Sequence, residues 1–174
     1  MEMIPAWIDG GLHPVEKLEV HRRGLRHRAV SVFLLCDGAL LIQRRALGKY
    51  HTPGLWANTC CTHPAWEEEP RHCARRRLDE ELGLAGLAPV FRDQVEYRAE
   101  VGNGMIEHEM VDLFLLELSA RPELRPNPAE VMDTRWIAIN ALKNTVAQDP
   151  DAFTPWMRIY VDRYAERIFG PDLG

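Results

Sequence analysis

Residues 58–84 constrain the fold and the chemistry of this chain more than any other part of its sequence. The stretch begins with NTCCTHP, which places two thiols and an imidazole beside a turn-forming Asn-Thr pair, and it ends with RRLDEELGL. Within it, Cys73, Leu78 and Leu82 recur at helical spacing, charged residues occupy the other faces, and a glycine follows where helices are often capped. The pattern predicts a helix over about 67–82.

Apolar runs on both sides of this helix predict a series of strands. The predicted strands are residues 29–36, 39–44, 90–101, 105–118 and 134–139. The first two flank an Asp-Gly pair, which is the strongest short-range signal for a β-hairpin. A short helix is predicted at 129–133, and a final amphipathic helix from residue 154, where bulky side chains recur four residues apart. Strands therefore precede and follow the main helix, which predicts an α/β (α+β) fold with a mixed sheet.

Length and charge exclude several classes of protein. A chain of 174 residues is the size of one domain with a substantial core. Its 26 Asp and Glu residues against 21 Lys and Arg residues give a net charge of -5, which argues against nucleic-acid or membrane-surface partners. The N-terminus lacks the pattern of a signal peptide, and no apolar run approaches the roughly 18 residues of a membrane span. We therefore expect a cytoplasmic protein, and its oligomeric state, monomer or homodimer, stays open.

The four cysteines fit a reducing compartment. Cys60 and Cys61 are neighbours, and a disulfide between adjacent residues would strain both the bridge and the peptide bond between them. No C-x-x-C pair is present, which argues against a zinc knuckle or a thioredoxin-like motif. We therefore expect free thiols.

The charged residues of the main helix follow a known spacing. From Thr62 the chain has five residues, then Glu68, seven residues, and RRLDEELGL from Arg76. This spacing resembles the Nudix box of the diphosphate-handling superfamily, in which carboxylates on one helix face gather Mg²⁺. The matching residues are Glu68, Arg76, Leu78, Glu80, Glu81, Gly83 and Leu84. Without that match, the same run would predict a solvated helix held by i,i+4 pairs such as Arg77–Glu81.

Two positions depart from the Nudix pattern. Thr62 stands where a glycine is usual, and Arg77 stands where a glutamate is usual. In hydrolytic Nudix enzymes that glutamate contributes to the metal site that drives water onto phosphorus. Arginine removes a metal ligand and adds a fixed cation that grips a diphosphate. The departure at Arg77 therefore favours binding of a diphosphate that survives the reaction over hydrolysis.

A second group of residues has the side chains of a metal site. The candidates are His21, His27, His63, Glu107 and Glu109. The two glutamates are two residues apart on a predicted strand, so they share a face about 7 Å apart. His21 and His27 would be about 20 Å apart on a straight strand, so Gly24 must turn the chain if both reach one ion. Three imidazoles with two carboxylates suit Mn²⁺, Zn²⁺ or Mg²⁺.

Five further motifs follow one another along the chain. They are HRRGLRHRAVSVFLL, RRALGKYHTPGLWANTCCTHP, EYRA, the Glu-His-Glu triplet at 107–109 and the Pro-Trp pair at 155–156. Together they resemble the type I isopentenyl-diphosphate δ-isomerases over about 17–160. The resemblance implies a Nudix-type mixed β-sheet sandwiched between helices, in a single domain spanning 1–174 with its core at about 27–168.

The resemblance also implies an enzyme that interconverts isopentenyl diphosphate and dimethylallyl diphosphate for isoprenoid biosynthesis. One proton adds to C4 and another leaves C2, so the site needs an acid and a base on opposite faces of the substrate, and it must stabilise positive charge. The resemblance implies Cys61 on one face and Glu109 on the other, with the Tyr97 hydroxyl beside Glu109. It further implies that Trp156 offers its indole face to the developing cation.

Two divalent ions are implied by the same resemblance. One, which is Mn²⁺, Mg²⁺ or Zn²⁺, is held by His21, His27, His63, Glu107 and Glu109. The other is a Mg²⁺ that bridges Glu81 and the diphosphate of the substrate. The resemblance also implies that four cations clamp that diphosphate: Lys17, Arg45, Lys49 and Arg77. Their clustering accounts for local basic residues in an acidic protein.

Two other functions stay open at this point. A Nudix pyrophosphohydrolase acting on a diphosphate substrate would use the helix carboxylates, but it would leave Cys61, the histidines and Trp156 without a role. A metal-stapled binding module would unfold on chelation, as structural zinc sites do. Cys60 is expected to be structural. Three histidines have no partner pattern and stay unassigned: His13, His51 and His72.

Overall fold

Two long strands lying side by side form the centre of the sheet. In this computed structural model, which describes residues 2–171, β3 (Arg26–Cys36) runs parallel to β8 (Met105–Leu118) along the whole length of β3. Most residues of β3 are buried, as expected for a strand that is covered on both faces. The pairing joins two segments that lie far apart in the sequence.

Hairpins extend the sheet from these two strands. β7 (Val90–Gly102) pairs antiparallel with β8, and β4 (Ala39–Arg45) follows β3 after a two-residue turn. Asp37 and Gly38 in that turn have φ angles of 50° and 68°, the left-handed conformation that such a tight hairpin requires. β4 then pairs with β9 (Val131–Ala138). The predicted Asp-Gly hairpin is therefore present.

Short strands and an N-terminal hairpin complete the sheet. β5 (Trp56–Ala57) pairs with β4, and β6 (Cys60–Thr62) pairs with β3. β1 (Met3–Ile8) and β2 (Gly11–Glu16) form a hairpin that joins β3 at one position, and α1 (Lys17–Arg23) follows it. The hairpin and α1 enclose a small apolar cluster of their own.

Helices cover both faces of the sheet. Successive residues of a strand face opposite sides, so β3 contributes alternate residues to two cores. α2 (Pro70–Leu82) packs on the face that carries Val30 and Val32. Phe33 lies on the opposite face, under the C-terminal helical elements. These elements are α3 (Ile139–Gln148), a 3₁₀ turn (Pro150–Ala152), α4 (Pro155–Ile159), a π-helical turn (Tyr160–Tyr164) and α5 (Ala165–Phe169).

A mixed sheet between helices is the architecture that the sequence predicts, and it is confirmed. Across residues 2–171, none of the helices combines the length and the apolar composition that crossing a membrane demands.

α2 begins later than the sequence predicts. Its first residue is Pro70 rather than a residue near position 67, because Glu67 takes a left-handed φ of 65° and proline suits the first position of a helix. At the other end Gly83 has a φ of 69°, and its N–H group donates to Asp79 O at 2.8 Å. The predicted glycine cap is therefore present.

The segment that leads into β9 differs from the prediction. Residues 128–130 form a turn and β9 starts at Val131, so the helix predicted at 129–133 is wrong. The strand predicted at 134–139 starts three residues earlier and ends at Ala138. The next residue begins α3, which the sequence patterns do not predict. Pairing with β4 along its length accounts for the longer strand.

Candidate active site

Four buried residues from separate elements bring their ligand atoms together. They are His21 in α1, His27 in β3, His63 after β6 and Glu107 in β8. One ligand atom of each residue lies within 4.8 Å of the ligand atoms of the other three. Gly24, with a φ of 62°, ends α1 and reverses the chain. As a result, the ring centroids of His21 and His27 lie 5.0 Å apart. The turn that the two histidines require at Gly24 is present.

The carboxylates of Glu107 and Glu109 lie beside these imidazoles. Glu107 Oε2 is 3.2 Å from Nε2 of both His21 and His27, and it is 3.8 Å from Nε2 of His63. Glu109 Oε1 is 3.0 Å from Nε2 of His63 and 3.7 Å from Nε2 of His27. Both glutamates therefore reach the cluster from one face of β8, with Glu109 at its edge.

Backbone hydrogen bonds fix the tautomers of two of the rings. His21 Nδ1 lies 2.5 Å from Lys17 O, and His27 Nδ1 lies 2.7 Å from Leu25 O. A carbonyl oxygen only accepts hydrogen bonds, so in each ring Nδ1 carries the hydrogen, and the neutral form has its lone pair on Nε2. These lone pairs face the cluster, as they do in metal-binding histidines.

The electrostatics of the cluster favour a bound cation. Burial lowers the pKa of His27, but hydrogen bonds and charge interactions with Glu107 and Glu109 outweigh it and raise that pKa to about 10. Burial raises the pKa of Glu107, yet its close contacts with the surrounding histidines hold that pKa well below its usual range. Among residues 2–171, Glu107 Oε2 is also a buried oxygen that no well-aligned hydrogen bond satisfies. Imidazoles with an ionised carboxylate fit a divalent metal ion.

Cys61 lies in β6 with its thiol in a network of polar side chains. Its Sγ is 2.6 Å from Asn58 Oδ1, and Ser31 Oγ donates to it at 3.5 Å. The Asn58 amide nitrogen donates to the carbonyl oxygens of Val32 and Cys60, so its oxygen must be the atom that faces the thiol. Burial raises the pKa of Cys61 to about 12. The thiol therefore keeps its proton at neutral pH.

Tyr97 and Glu109 are directly opposite each other across β7 and β8. The Tyr97 hydroxyl donates to Glu109 Oε2 at 2.6 Å. Burial and the charge of Glu109 raise the pKa of Tyr97 well above its usual value, so the phenol stays a hydrogen-bond donor. Trp156 is almost completely buried in α4, and the guanidinium of Arg45 lies 5.2 Å from its ring.

One cavity is lined by most of the side chains that the sequence analysis predicts to be functional. Its lining includes Lys17, Arg45, Lys49, Cys61, His63, Arg77, Tyr97, Glu107, Glu109 and Trp156. The structure therefore brings the four expected diphosphate-binding cations to the same cavity as the expected catalytic residues. Lys17 Nζ also pairs with Glu2 at 3.0 Å.

Carboxylates hold two of these cations in place. Glu130 pairs with Lys49 and lies 3.3 Å from Nη2 of Arg77. Arg77 Nη2 also donates to Glu81 Oε1 at 2.6 Å, and Gln43 donates to Glu81 Oε2 at 2.7 Å. Glu81 is buried, and it is not one of the four residues whose ligand atoms come together around Glu107. Glu130 has no place in the sequence prediction, which assigns residues 129–133 only to a short helix.

His51 is a further site residue that the sequence patterns leave unassigned. It is buried, its Nε2 lies 2.8 Å from Glu107 Oε1, and its ring meets Trp156 edge to face at 5.7 Å. Burial lowers its pKa, which keeps the ring neutral. The only signal in the sequence is its place two residues after Lys49, in a loop with no ligand spacing.

Comparison with known proteins places this architecture in a family. A family model described as NUDIX domain matches residues 25–157. Three relatives named isopentenyl-diphosphate Delta-isomerase align with nearly the whole chain. The protein from Cereibacter sphaeroides (strain KD131 / KCTC 12085) is 61% identical over 97% of this chain and 96% of its own length. Those from Dinoroseobacter shibae (60%, over 97% and 96%) and Ruegeria pomeroyi (58%, over 98% and 95%) are similarly close.

The chain belongs to the isopentenyl-diphosphate Delta-isomerase family, within the Nudix superfamily.

Solved structures share the fold of this isopentenyl-diphosphate Delta-isomerase family member at low sequence identity. DR0079 from Deinococcus radiodurans aligns with a TM-score of 0.73 over 93% of this chain and 98% of its own, at 17% identity. The MutT protein from Methanosarcina mazei Go1 aligns with a TM-score of 0.62 over 79% and 91%, at 15% identity. At these identities the likeness supports the fold alone.

The Nudix helix of this family member is α2, and its charged residues are paired. Arg76 donates to both oxygens of Glu68 at 2.7 Å and to Glu80 at 3.0 Å. Thr62, at the position where a Nudix glycine is usual, lies in β6 opposite Val30. Its φ is not in the left-handed region, so a β-branched side chain is accommodated there.

Proposed function

We propose that the chain interconverts isopentenyl diphosphate and dimethylallyl diphosphate by proton addition at C4 and proton loss at C2. Relatives that are 55–61% identical over nearly the whole chain carry the name of this activity. The observation that carries the mechanism is the composition of the cavity. A protonated thiol, Cys61, and a carboxylate bonded to a phenol, Glu109, line the same space.

In this mechanism Cys61 and Glu109 are the two proton-transfer groups. An unactivated alkene is a poor base, so protonation at C4 requires an acid held in place beside it. Of these two groups, one delivers that proton and the other removes the proton from C2. Tyr97 assists, because its hydroxyl bonds the Glu109 carboxylate and fixes the direction of its oxygens.

Positive charge develops on the substrate between the two proton transfers. Trp156 would stabilise this charge with its indole face, since the attraction of a cation to an aromatic ring is strongest when water is excluded. Trp156 is 2% exposed, which supports such a role. In the free protein the guanidinium of Arg45 lies near that ring, so a cation already occupies its neighbourhood.

The diphosphate of the substrate would bind to the four cations that line the cavity. They are Lys17, Arg45, Lys49 and Arg77. Arginine offers paired donors that match phosphate oxygens, and lysine adds a compact charge. Both Lys49 and Arg77 are held by Glu130, so part of the binding surface is ordered before the substrate arrives.

Two metal ions complete the proposed site. His21, His27, His63 and Glu107, with Glu109 at the edge, would hold a divalent ion of the Mn²⁺, Zn²⁺ or Mg²⁺ class. Glu81 would share a Mg²⁺ with the diphosphate, because Mg²⁺ prefers carboxylate and phosphate oxygens. When bound, such ions neutralise charge and fix the oxygens that surround the substrate.

A pyrophosphohydrolase is the competing function. Hydrolysis would give no function to the hydrogen-bonded thiol of Cys61 or to the Tyr97–Glu109 pair. The relatives with high identity are named as isomerases, while solved structures of Nudix hydrolases share only the fold. The hydrolase function is therefore the weaker proposal.

Proton NMR of isopentenyl diphosphate in D₂O with the protein and Mg²⁺ tests the proposal. We expect dimethylallyl diphosphate to appear, with deuterium entering the methyl group and C2. A sample of Cys61→Ala at the same concentration is the matched control and should convert the substrate about 10²- to 10⁴-fold more slowly. Release of inorganic phosphate or of free alcohol would favour the hydrolase instead.

The proposed location is the cytoplasm. Among the described residues all four cysteines are free thiols, which suits a reducing compartment. The fractionation of the protein with a cytoplasmic marker would test this location.

A further inference from the structure

His51 contacts the oxygen of Glu107 that faces away from two cluster histidines. Its Nε2 lies 2.8 Å from Glu107 Oε1, whereas Glu107 Oε2 lies 3.2 Å from Nε2 of both His21 and His27. The two oxygens of one carboxylate thus have different neighbours. The distance between Nε2 and Oε1 is that of a hydrogen bond. The angle is poor, however, and among residues 2–171 His51 Nε2 has no aligned hydrogen bond.

The neighbours of the two ring nitrogens indicate which tautomer His51 adopts. An ionised carboxylate only accepts, so a favourable contact with Glu107 requires the hydrogen of the neutral ring to be on Nε2. Nδ1 then has the lone pair, and Thr52 Oγ1 lies 3.0 Å from it, where a hydroxyl can donate. Thr52 therefore supplies the partner that Nδ1 needs in this tautomer, while Nε2 has Glu107 Oε1 at 2.8 Å.

The loop that carries His51 is held in an unfavourable backbone conformation. Thr52 has a φ of 47°, and a β-branched residue in the left-handed region is a genuine outlier. Such strain persists only where surrounding contacts enforce it, and it clusters at functional sites. Here Arg45 donates to His51 O at 3.2 Å, and the His51 ring packs edge to face on Trp156. These contacts hold the loop so that Nε2 meets Glu107.

We infer that His51 is a positioning residue for the proposed metal site. It holds Glu107 Oε1 so that Oε2 faces the histidines. The inference rests on the proposed metal site. Residues that hold the far side of a metal-binding carboxylate raise the affinity for the ion without touching it. Because His51 also touches Trp156, the same ring joins the metal cluster to the wall of the substrate cavity.

Metal affinity measured on matched variants tests this role. The protein is stripped with a chelator and titrated with Mn²⁺, and free Mn²⁺ is followed by electron paramagnetic resonance. His51→Phe keeps a ring against Trp156 but removes the donor, and we expect its Mn²⁺ affinity to fall about 10- to 100-fold. His51→Gln places an amide nitrogen near the position of Nε2 and should restore most of the affinity. His72→Gln, at an exposed histidine of α2, should bind as wild type does.

A double variant separates positioning from direct ligation. If His51 acts through Glu107, adding His51→Phe to Glu107→Ala should weaken Mn²⁺ binding no further. A further loss in the double variant would make His51 a ligand and overturn the inference. Equal losses in His51→Phe and His51→Gln would also overturn it, because they would reflect general disruption of the loop.

Folding and the metal site itself are controlled separately. Far-ultraviolet circular dichroism of the metal-free variants reports whether each one is folded. Should His51→Phe fail to fold, His51→Asn replaces it, because its amide can reach Thr52 but not Glu107, and it should lose the affinity that His51→Gln keeps. Wild-type Mn²⁺ affinity in the variant that lacks the donor would overturn the role of His51 and leave the proposed metal site standing. A wild-type protein that binds no Mn²⁺ would overturn the proposed metal site as well.

Discussion

Cys61 has surroundings that favour a proton donor over a nucleophile. Its pKa is raised to about 12 by burial, and its thiol lies 2.6 Å from Asn58 Oδ1. Cys61→Ala should therefore lower kcat about 10²- to 10⁴-fold, the usual contribution of an acid or base held in place. Its unfolding free energy, from urea denaturation, should stay near that of wild type.

Cys60→Ala is the matched control for this variant. Cys60 is fully buried in the core under α2, and its side chain belongs to the opposite face of β6. We expect nearly normal turnover and a loss of roughly 1 kcal/mol in unfolding free energy, the typical cost of a single core change. Normal turnover in Cys61→Ala, or a similar loss of turnover in both variants, would contradict the proposed role of Cys61.

At the residue scale, the sequence predicts which side chains carry chemistry, but not every contact between them. The resemblance implies Tyr97 beside Glu109, and the structure has them 2.6 Å apart. His51 and Glu130 are not implied by any pattern, because their partners lie on other elements and neither has a periodic neighbour. Contacts of this kind depend on tertiary packing, which residue spacing does not encode.

The C-terminal end of α2 depends on Gly83 for a close contact. A Cβ atom at this position would lie 2.7 Å from Arg125 Cβ, whereas a Cβ at Gly86 would meet nothing within 4 Å. Both glycines have positive φ, 69° and 74°, so alanine at either costs about 1–2 kcal/mol for its backbone conformation. Gly83→Ala should cost about 1–3 kcal/mol more, as overpacked sites do.

Urea denaturation of the two glycine variants measures this difference. The loop after α2 also bonds the helix end, with Arg125 N donating to Leu82 O and Asn127 N donating to Glu81 O. Gly83→Ala should therefore disturb the surroundings of Glu81, while Gly86→Ala leaves them intact. Equal destabilisation by the two substitutions would show that only the φ angle matters at Gly83.

At the element scale, prediction succeeds where a local signal defines a boundary. The Asp-Gly turn and the Gly-Asn-Gly turn locate two hairpins, and β8 spans the 105–118 expected from its apolar pattern. α2 starts late because a left-handed residue precedes its proline. The segment before β9 carries no comparable signal, so its strand and the following α3 are set by pairing with β4 and by packing on the core.

At the scale of the whole molecule, the site exists because distant segments meet. The parallel pairing of β3 with β8 sets His27 beside Glu109, and no local pattern specifies that partner. The family resemblance supplies this information indirectly, since it implies that the histidines and glutamates share one ion. Sequence chemistry and topology together therefore account for the cluster, and neither does so alone.

A divalent ion in the histidine cluster should stabilise the whole protein without being required for its fold. Two separate apolar cores cover the faces of the sheet, so chelation should leave the circular dichroism spectrum largely unchanged. Returning Mn²⁺ at 100 times its Kd should then add about 2.7 kcal/mol to the unfolding free energy, because the ion binds only the folded state. Glu107→Ala should lose most of this gain, since it removes the carboxylate that faces His21 and His27. Unfolding of the wild-type protein on chelation would instead identify a structural site, as in a metal-stapled binding module.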